Sequence, residues 1–372
     1  MQIGHRSSNR AGAPIPCLVE RARGHRSTRG RRSRVGGVVL GGLALAIVAS
    51  GCLPAPPLGV VNVQQAAAPQ YPVLSDPAVL ADGGKYYVYG SNTAQNRMPI
   101  HVVTNLTTSY SDSQWFNTRI EGMPTNPAWA LNDGIFWAPT VAKIGSTYVA
   151  FFAANRPNPP QPWNSQCIGR ATSSSPTGPF VPELIPFSCG LGGVGGALDP
   201  YLFKDPQDGR WYLLAAFGDT DAPIRILGLD ANLNAPRDQY GLAYAYNWAV
   251  YGRRFAWEGN FIENPSMVYD PNSRTYLLSY SGGGDWWGPD YATGLARCSA
   301  PDGQCTGQQW GPWLKKSNGR TGTGGMSFFL KEDGTPMTIY ASFEAGTEGV
   351  KSRSGTVASV SFGNWEPTLG AP

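Results

Sequence analysis

Histidine is almost missing from this chain: 372 residues hold three, and His101 is the only one beyond the first fifty. A Ser-His-Asp triad could be built only around His101, and no Gly-x-Ser-x-Gly elbow is present to carry its nucleophile. There is no His-Glu-x-x-His, no Walker sequence and no dinucleotide fingerprint behind a strand, which excludes those zinc-hydrolase, nucleotide and nicotinamide chemistries. Charge is low, at 15%. Cysteine is sparse and never occurs as Cys-x-x-Cys. The longest apolar run, Val35 to Ser50, falls short of the ~20 residues that a membrane-spanning helix needs. What is abundant is aromatic residues (12%), glycine (47) and proline (32), the composition of many short strands joined by tight turns.

Residues 1–51 differ in kind from the rest, with nine arginines against the single acid Glu20. The basic stretch followed by Val35–Ser50 reads as a signal peptide with a long n-region and an apolar h-region. It ends at Val48-Ala49-Ser50-Gly51-Cys52, which resembles the lipobox of bacterial lipoproteins, so Cys52 is the expected lipidated N-terminus of the mature protein. Residues 52–70, rich in Pro, Ala, Val and Gln, read as a tether holding residues 71–372 off the outer face of the cell membrane. Without the leader the formal charge turns from +4 to −4, and no basic run survives to suit a nucleic acid. The four remaining cysteines, exported and even in number, read as two disulfides. One would close the turn-rich loop between Cys298 and Cys305, and the other would join Cys167 and Cys189 across their connection.

A Gly/Asp/Asn/Ser turn followed by a short aromatic and aliphatic run, the signal of a β-hairpin, occurs five times. With Tyr87, Tyr148, Tyr212, Tyr276 and Ile339 as markers, the copies are 61, 64, 64 and 63 residues apart. That period suits an all-β, five-bladed β-propeller with long connecting loops. In a propeller the first strand of each blade lines the axis. Stepping back 11 to 13 residues from the markers reaches Asp76, Trp137, Asp199, Glu263 and Met326. Three are acids set inside apolar stretches (VLSDPAVL, GGALDPYLF, NFIENPSMV), where an unneeded charge would be costly. The turn acids Asp82, Asp205, Asp208, Asp270 and Asp333 are instead expected to stabilise turn backbone. Carboxylates converging on a cleft suggest glycosidic bond hydrolysis. Aromatic faces on which sugars can stack support this. Trp137 and Trp286 are candidate substrate contacts together with Asn264, whereas Trp287 reads as core packing.

Ser75-Asp76-Pro77, Trp137-Ala138-Pro139, Ile168-Gly169-Arg170-Ala171, Thr177-Gly178-Pro179-Phe180, Leu198-Asp199-Pro200, Ile262-Glu263-Asn264-Pro265 and Tyr276–Ser281 stand in an order and spacing that resemble the family 43 glycoside hydrolases. The resemblance runs from about Tyr71 to the C-terminus. It implies a five-bladed propeller and an inverting enzyme acting on arabinose- or xylose-containing glycans. Asp76 would be the general base, Glu263 the general acid, and Asp199 the residue that orients the acid and raises its pKa. Histidines that such enzymes often carry near a central cation are replaced here by Gly322-Thr323-Gly324-Gly325 and Tyr340-Ala341, so no metal and no cofactor is expected. Thr140 stands where an acid usually follows Trp-Ala-Pro. Glu258 is a rival for the acid's role. Two other readings stay open: a retaining fructoside-active propeller, against which stands the absence of Asn-Asp-Pro and Arg-Asp-Pro, and a non-catalytic carbohydrate-binding propeller. A monomer is expected, with a carbohydrate and the membrane as its only partners and no nucleic acid.

The lipobox reading makes a direct prediction. The mature protein should partition with membranes, and Cys52→Ser should release or mislocalise it; an unmodified mature protein wholly in the medium would contradict the reading.

Overall fold

The computed structural model of the protein describes residues 70–158, 163–191, 196–218, 223–243, 248–307, 311–315, 319–363 and 366–372. The leader at 1–51, Cys52 and the tether as far as residue 69 lie outside the described residues. Among those described, strands form five antiparallel sheets, and each turn-and-run copy supplies the inner hairpin of one. The first blade runs Ala78–Asp82, Lys85–Tyr89, Pro99–Val103 and Ile120–Glu121 from inside to outside. The second begins with Phe136–Ile144, Thr147–Asn155 and Trp163–Ser173, and both Val181–Pro182 and Ser188–Leu191 pair with the last of these. The third is Ala197–Lys204, Trp211–Phe217, Ile224–Leu229 and Trp248–Tyr251, and the fourth is Glu263–Asp270, Thr275–Gly282, Ala292–Cys298 and Cys305–Gly307. All five repeat markers fall on second strands, as the hairpin pattern predicts.

The fifth blade closes the ring. Arg320–Leu330, Pro336–Glu344 and Ser354–Phe362 are joined at the outer edge by Pro367–Gly370 and, from the other end of the domain, by Gln70–Tyr71. Gln70 pairs with Thr356 and Tyr71 with Gly355, so the first and last strands share one sheet. Tyr71 is fully buried and stacks 4.7 Å from Trp115.

Apolar side chains gather in five clusters, each between two neighbouring blades. Because successive strand residues point to opposite faces, adjacent residues serve different seams. Phe152 packs between the first and second blades while Phe151 packs between the second and third. Leu278 faces the third blade while Leu277 faces the fifth. The last seam, between the fifth blade and the first, holds Ile339, Val357, Val88 and Tyr71. A strand buried on both faces needs a continuous apolar run, and this is the origin of YVAFF, WYLLAAF and YLLSYS in the sequence.

Polar ties reinforce the seams. The Tyr148 hydroxyl donates to Asp82 Oδ2 at 2.6 Å, and that of Tyr276 donates to both Asp205 oxygens at 3.0 Å. Asp205 also caps its own turn, accepting from Gln207 N–H, whereas Asp82 is taken up by Lys143 and Tyr148. Both turn acids thus bind the tyrosine of the following blade, a role not visible in the turn motif. Both expected disulfides are formed, Cys167–Cys189 between neighbouring strands of the second blade and Cys298–Cys305 across the outer pair of the fourth.

Candidate active site

The site is built from one backbone device used five times. Close to the inner end of each first strand one residue adopts a left-handed conformation: Asp76 (φ 45°), Ala138 (44°), Asp199 (52°), Asn264 (48°) and Gly325 (60°). Strand pairing is interrupted beside four of them, between Trp137 and Thr140, Leu198 and Tyr201, Glu263 and Ser266, and Gly324 and Ser327. In four blades the next residue is proline (Pro77, Pro139, Pro200, Pro265), which has no N–H to lose at a break in the ladder. The conformation costs a non-glycine residue about 1–3 kcal/mol and persists only where the surroundings enforce it. Gly325 has a second reason to be glycine, since a Cβ there would lie 3.2 Å from Asp76 Oδ1.

These five residues line a small axial cavity of about 30 Å³. Asp76 and Asp199 stand where the sequence spacing puts them. The expected axial residues Trp137, Glu263 and Met326 are each displaced by one: the axial positions belong to Ala138, Asn264 and Gly325. A bulge inserts residues locally, so a step counted back from the hairpin can miss the register by one. Glu263 is therefore the neighbour of an axial residue, and its carboxyl reaches the cluster from beside it.

Asp76 accepts from Ser91 Oγ at 2.6 Å and from Asn264 Nδ2 at 3.3 Å, with Arg353 Nη1 4.0 Å away. Ser91 in turn accepts from Ala138 N–H at 2.9 Å, tying the first two blades together at the axis. Asp199 is buried, and its Oδ2 accepts the backbone N–H of Asn264 at 3.0 Å. It thereby fixes the peptide that carries Glu263. The Glu263 carboxyl meets the Tyr291 hydroxyl at 2.6 Å, and the same hydroxyl lies 2.6 Å from Asn264 Oδ1. Asn264, expected to contact substrate, has its amide committed to Asp76 and Tyr291.

Burial pushes the Glu263 carboxyl up to about 7, and the charge of Asp76 adds to this; the Tyr291 hydrogen bond and Arg353 act in the opposite direction. Asp199 is pushed well above the usual carboxylate range, first by burial and then by Glu263 and Asp76. The source of the raised Glu263 value is thus mainly its surroundings rather than the charge of Asp199, which was the expected cause. Tyr291 is held as a neutral phenol by burial and by the charge of Glu263.

Beside the cluster opens a cleft of about 1130 Å³ whose lining includes Ser91, Phe116, Arg119, Trp286, Trp287 and Arg353. Trp286 and Trp287 sit edge to face at 4.8 Å and are each about half exposed, 49% and 50%. Trp286 is where a sugar could stack. Trp287, expected in the core, is in the cleft as well, because the Gly282-Gly283-Gly284 bend carries the pair out of the blade. Trp137 is half-buried on its strand, opposite Ala153, and does not border this cleft.

Several alternatives from the sequence fall to structural roles. Glu258 is fully buried and saturated by four donors, the hydroxyls of Tyr251 (2.8 Å) and Tyr280 (2.7 Å) and the N–H groups of Arg254 (2.5 Å) and Phe255 (2.8 Å). His101 is buried against Trp115 at 3.6 Å, its Nδ1 3.1 Å from Thr118 Oγ1, and burial lowers its pKa to about 3. Thr140 Oγ1 accepts Leu202 N–H from the neighbouring blade. Thr323, within the Gly322–Gly325 stretch where such histidines were sought, donates to the carbonyls of Leu314 and Lys315.

Two site residues escape the sequence motifs, Tyr291 and Arg353. The Arg353 guanidinium is buried, donates to the carbonyls of Gly322 and Ala341, and lies 5.0 Å over the Tyr291 ring. Each of the two stands one residue ahead of the third strand of its blade, Ala292–Cys298 or Ser354–Phe362.

Residues 70–360 match the family description glycosyl hydrolases family 43, and the chain belongs to that family. In sequence it is similar to the extracellular endo-α-(1→5)-L-arabinanase of Thermotoga petrophila, 26% identical over 255 residues, which are 63% of this chain and 50% of that protein. The extracellular endo-α-(1→5)-L-arabinanase 2 of Bacillus subtilis is likewise 26% identical over 256 residues, 64% and 51% of the two chains. The chain thus spans about half the length of these relatives. In structure it is similar to a thermostable family-43 glycoside hydrolase, with a TM-score of 0.64 at 21% identity over 82% of this chain and 95% of that one.

A carboxyl group raised from 4.5 to about 7 destabilises the folded state once it is forced to ionise. The folded protein holds this proton where the unfolded chain has lost it, so its contribution to stability is fully present below about pH 4.5 and falls as pH rises toward 7. Glu263→Gln, which cannot ionise, should therefore be more stable than the parent by up to about 3 kcal/mol at pH 8, with the gain vanishing at pH 4. Denaturant midpoints of the two proteins at both pH values check this; equal midpoints at pH 8 would contradict the raised pKa of Glu263.

Proposed function

We propose that this protein hydrolyses glycosidic bonds in arabinose- or xylose-containing polysaccharides or oligosaccharides with inversion, Asp76 acting as general base and Glu263 as general acid. The observation that carries the reading is the unequal environment of two carboxyls beside one cleft. Asp76 receives hydrogen bonds from Ser91 and Asn264 and lies 4.0 Å from the Arg353 guanidinium. Glu263 is raised to about 7, where it can hold a proton at working pH and release it to a leaving oxygen. Asn264 and Tyr291 link the two carboxyls through hydrogen bonds, and inversion requires a gap of about 6.5–9.5 Å between them to admit the attacking water. Asp199 positions the acid through the Asn264 peptide. The half-exposed Trp286 and Trp287 offer stacking faces for furanose or pyranose rings.

The names of the sequence relatives favour α-1,5-linked arabinan as the first substrate to test. The basic and apolar leader and the lipobox-like Val48–Cys52 support an exported protein anchored through Cys52 and acting on glycans outside the cell.

A hydrolysis screen of residues 71–372 on arabinan, arabinoxylan, arabinogalactan and aryl glycosides tests the assignment. Asp76→Ala and Glu263→Ala should each lower turnover of polysaccharide by about 10²–10⁴-fold. Only the Glu263 variant should be spared on aryl glycosides with activated leaving groups, which need no proton. Normal polysaccharide activity in the Glu263 variant would remove it from the acid's role.

A further inference from the structure

The hydroxyl of Tyr291 has one hydrogen and two partners, both at 2.6 Å: Glu263 Oε1 and Asn264 Oδ1. The orientation of the Asn264 amide is fixed by its other end. Reversed, it would set its oxygen against the Asp76 carboxylate; as it stands, Nδ2 donates to Asp76 Oδ1. Asn264 Oδ1 can only accept, so when the Glu263 proton sits on Oε1, Tyr291 donates to Asn264 and the Glu263 O–H donates to the Tyr291 oxygen. Once Glu263 has given its proton away, its carboxylate is the stronger acceptor, and a rotation about the phenolic C–O bond brings the same hydrogen to Oε1. No proton is exchanged with Tyr291 in either state.

We propose that Tyr291 is a positioning residue for the general acid: its hydroxyl is a two-position switch that satisfies Asn264 while Glu263 is protonated and stabilises the Glu263 carboxylate after the proton has left. The proposal rests on the reading of Glu263 as the acid. Tyr291 is well placed for the part. It is fully buried, and its ring is wedged against Gly324, where an added Cβ would come within 2.2 Å of it, with the Arg353 guanidinium 5.0 Å over its face. The ring cannot move far, so the hydrogen must. The charged and titratable groups facing the pair are Asp76 from the first blade, Asp199 from the third and Arg353 from the fifth. None of the three is itself bonded to the hydroxyl.

Tyr291→Phe deletes the switch and keeps the ring. Without the hydroxyl the ionised acid loses a charge-assisted donor, so Glu263 keeps its proton to higher pH. Activity of an inverting enzyme falls on the basic side as its acid ionises, and that limb of the pH–rate profile should move upward in the variant. Turnover of arabinan, whose sugar leaving group needs the proton, should fall about 10-fold or more, while turnover of an aryl glycoside with a strongly acidic phenol falls much less. The ratio of the two rates and the position of the limb are both independent of the folded fraction of the sample. An equal fall on both substrates with the limb unmoved would overturn the proposal and leave Tyr291 as packing. Glu263→Ala is run beside it: if that variant itself shows no dependence on the leaving group, Glu263 is not the acid, and the assignment and the switch fall together. If Glu263→Ala shows the dependence and Tyr291→Phe does not, the switch alone fails.

Discussion

Crowding three carboxyl groups at one point, Asp199 buried and Asp76 and Glu263 partly exposed, is the constraint on which this structure turns. Asp76, Asp199 and Glu263 come from three different blades, and an unpaired buried charge is too costly to persist unless the frame around it cannot relax. The frame here is a ring. Five interblade seams of aromatic and aliphatic side chains hold the blades at fixed angles, and pairing of Gln70–Tyr71 with the last blade leaves no open side through which the axis could spread. Within it, a left-handed residue repeated at every inner strand brings five side-chain positions to the axis, two of them filled by Asp76 and Asp199. The acids answer the constraint differently. Asp76 takes up donors, Asp199 is held by a backbone N–H, and Glu263 responds by holding its proton. The proposed division into base, positioning group and acid rests on these environments.

Much of this was legible in the residues. The hairpin signal fixed blade number and the second strand of each blade because turn chemistry and alternation are local properties. Asp76, Asp199 and Glu263 stood out because acids inside VLSDPAVL, GGALDPYLF and NFIENPSMV conflict with their apolar neighbours, and such conflicts mark functional sites. The register of the axis was not legible. A bulge shifts the count by one without altering composition, so Trp137, Glu263 and Met326 were taken for Ala138, Asn264 and Gly325. The x-Pro pair that follows the axis in four blades is a truer ruler than distance from the turn. Tyr291 and Arg353 were hidden for a different reason. Their roles come from what they meet across blades, and neither sits in a motif or violates its local pattern. Trp287 was misjudged because exposure at a loop bend depends on the loop's path, which Gly282-Gly283-Gly284 leaves open.

Glu258 and His101 show how titratable groups can attract attention for the wrong reason. Each is an ionisable side chain in a mostly uncharged molecule, and each is wholly occupied with holding the fold together. Glu258 joins the third and fourth blades through two tyrosines and the start of a short 3₁₀ turn at Ala256–Glu258. His101 is stacked on Trp115 beneath the helix Asp112–Asn117, one wall of the cleft. The acids of the candidate active site are distinguished from them by having partners that leave a chemical task open.

The central claim is that Asp76 and Glu263 act on opposite sides of a scissile bond with a water between them. The anomeric configuration of the first sugar released from a defined oligosaccharide, followed by proton NMR before mutarotation, tests it most directly. Inversion of the anomeric centre is predicted. Retention would mean that one of these carboxyls attacks the sugar itself, and would contradict the division of roles between Asp76 as base and Glu263 as acid.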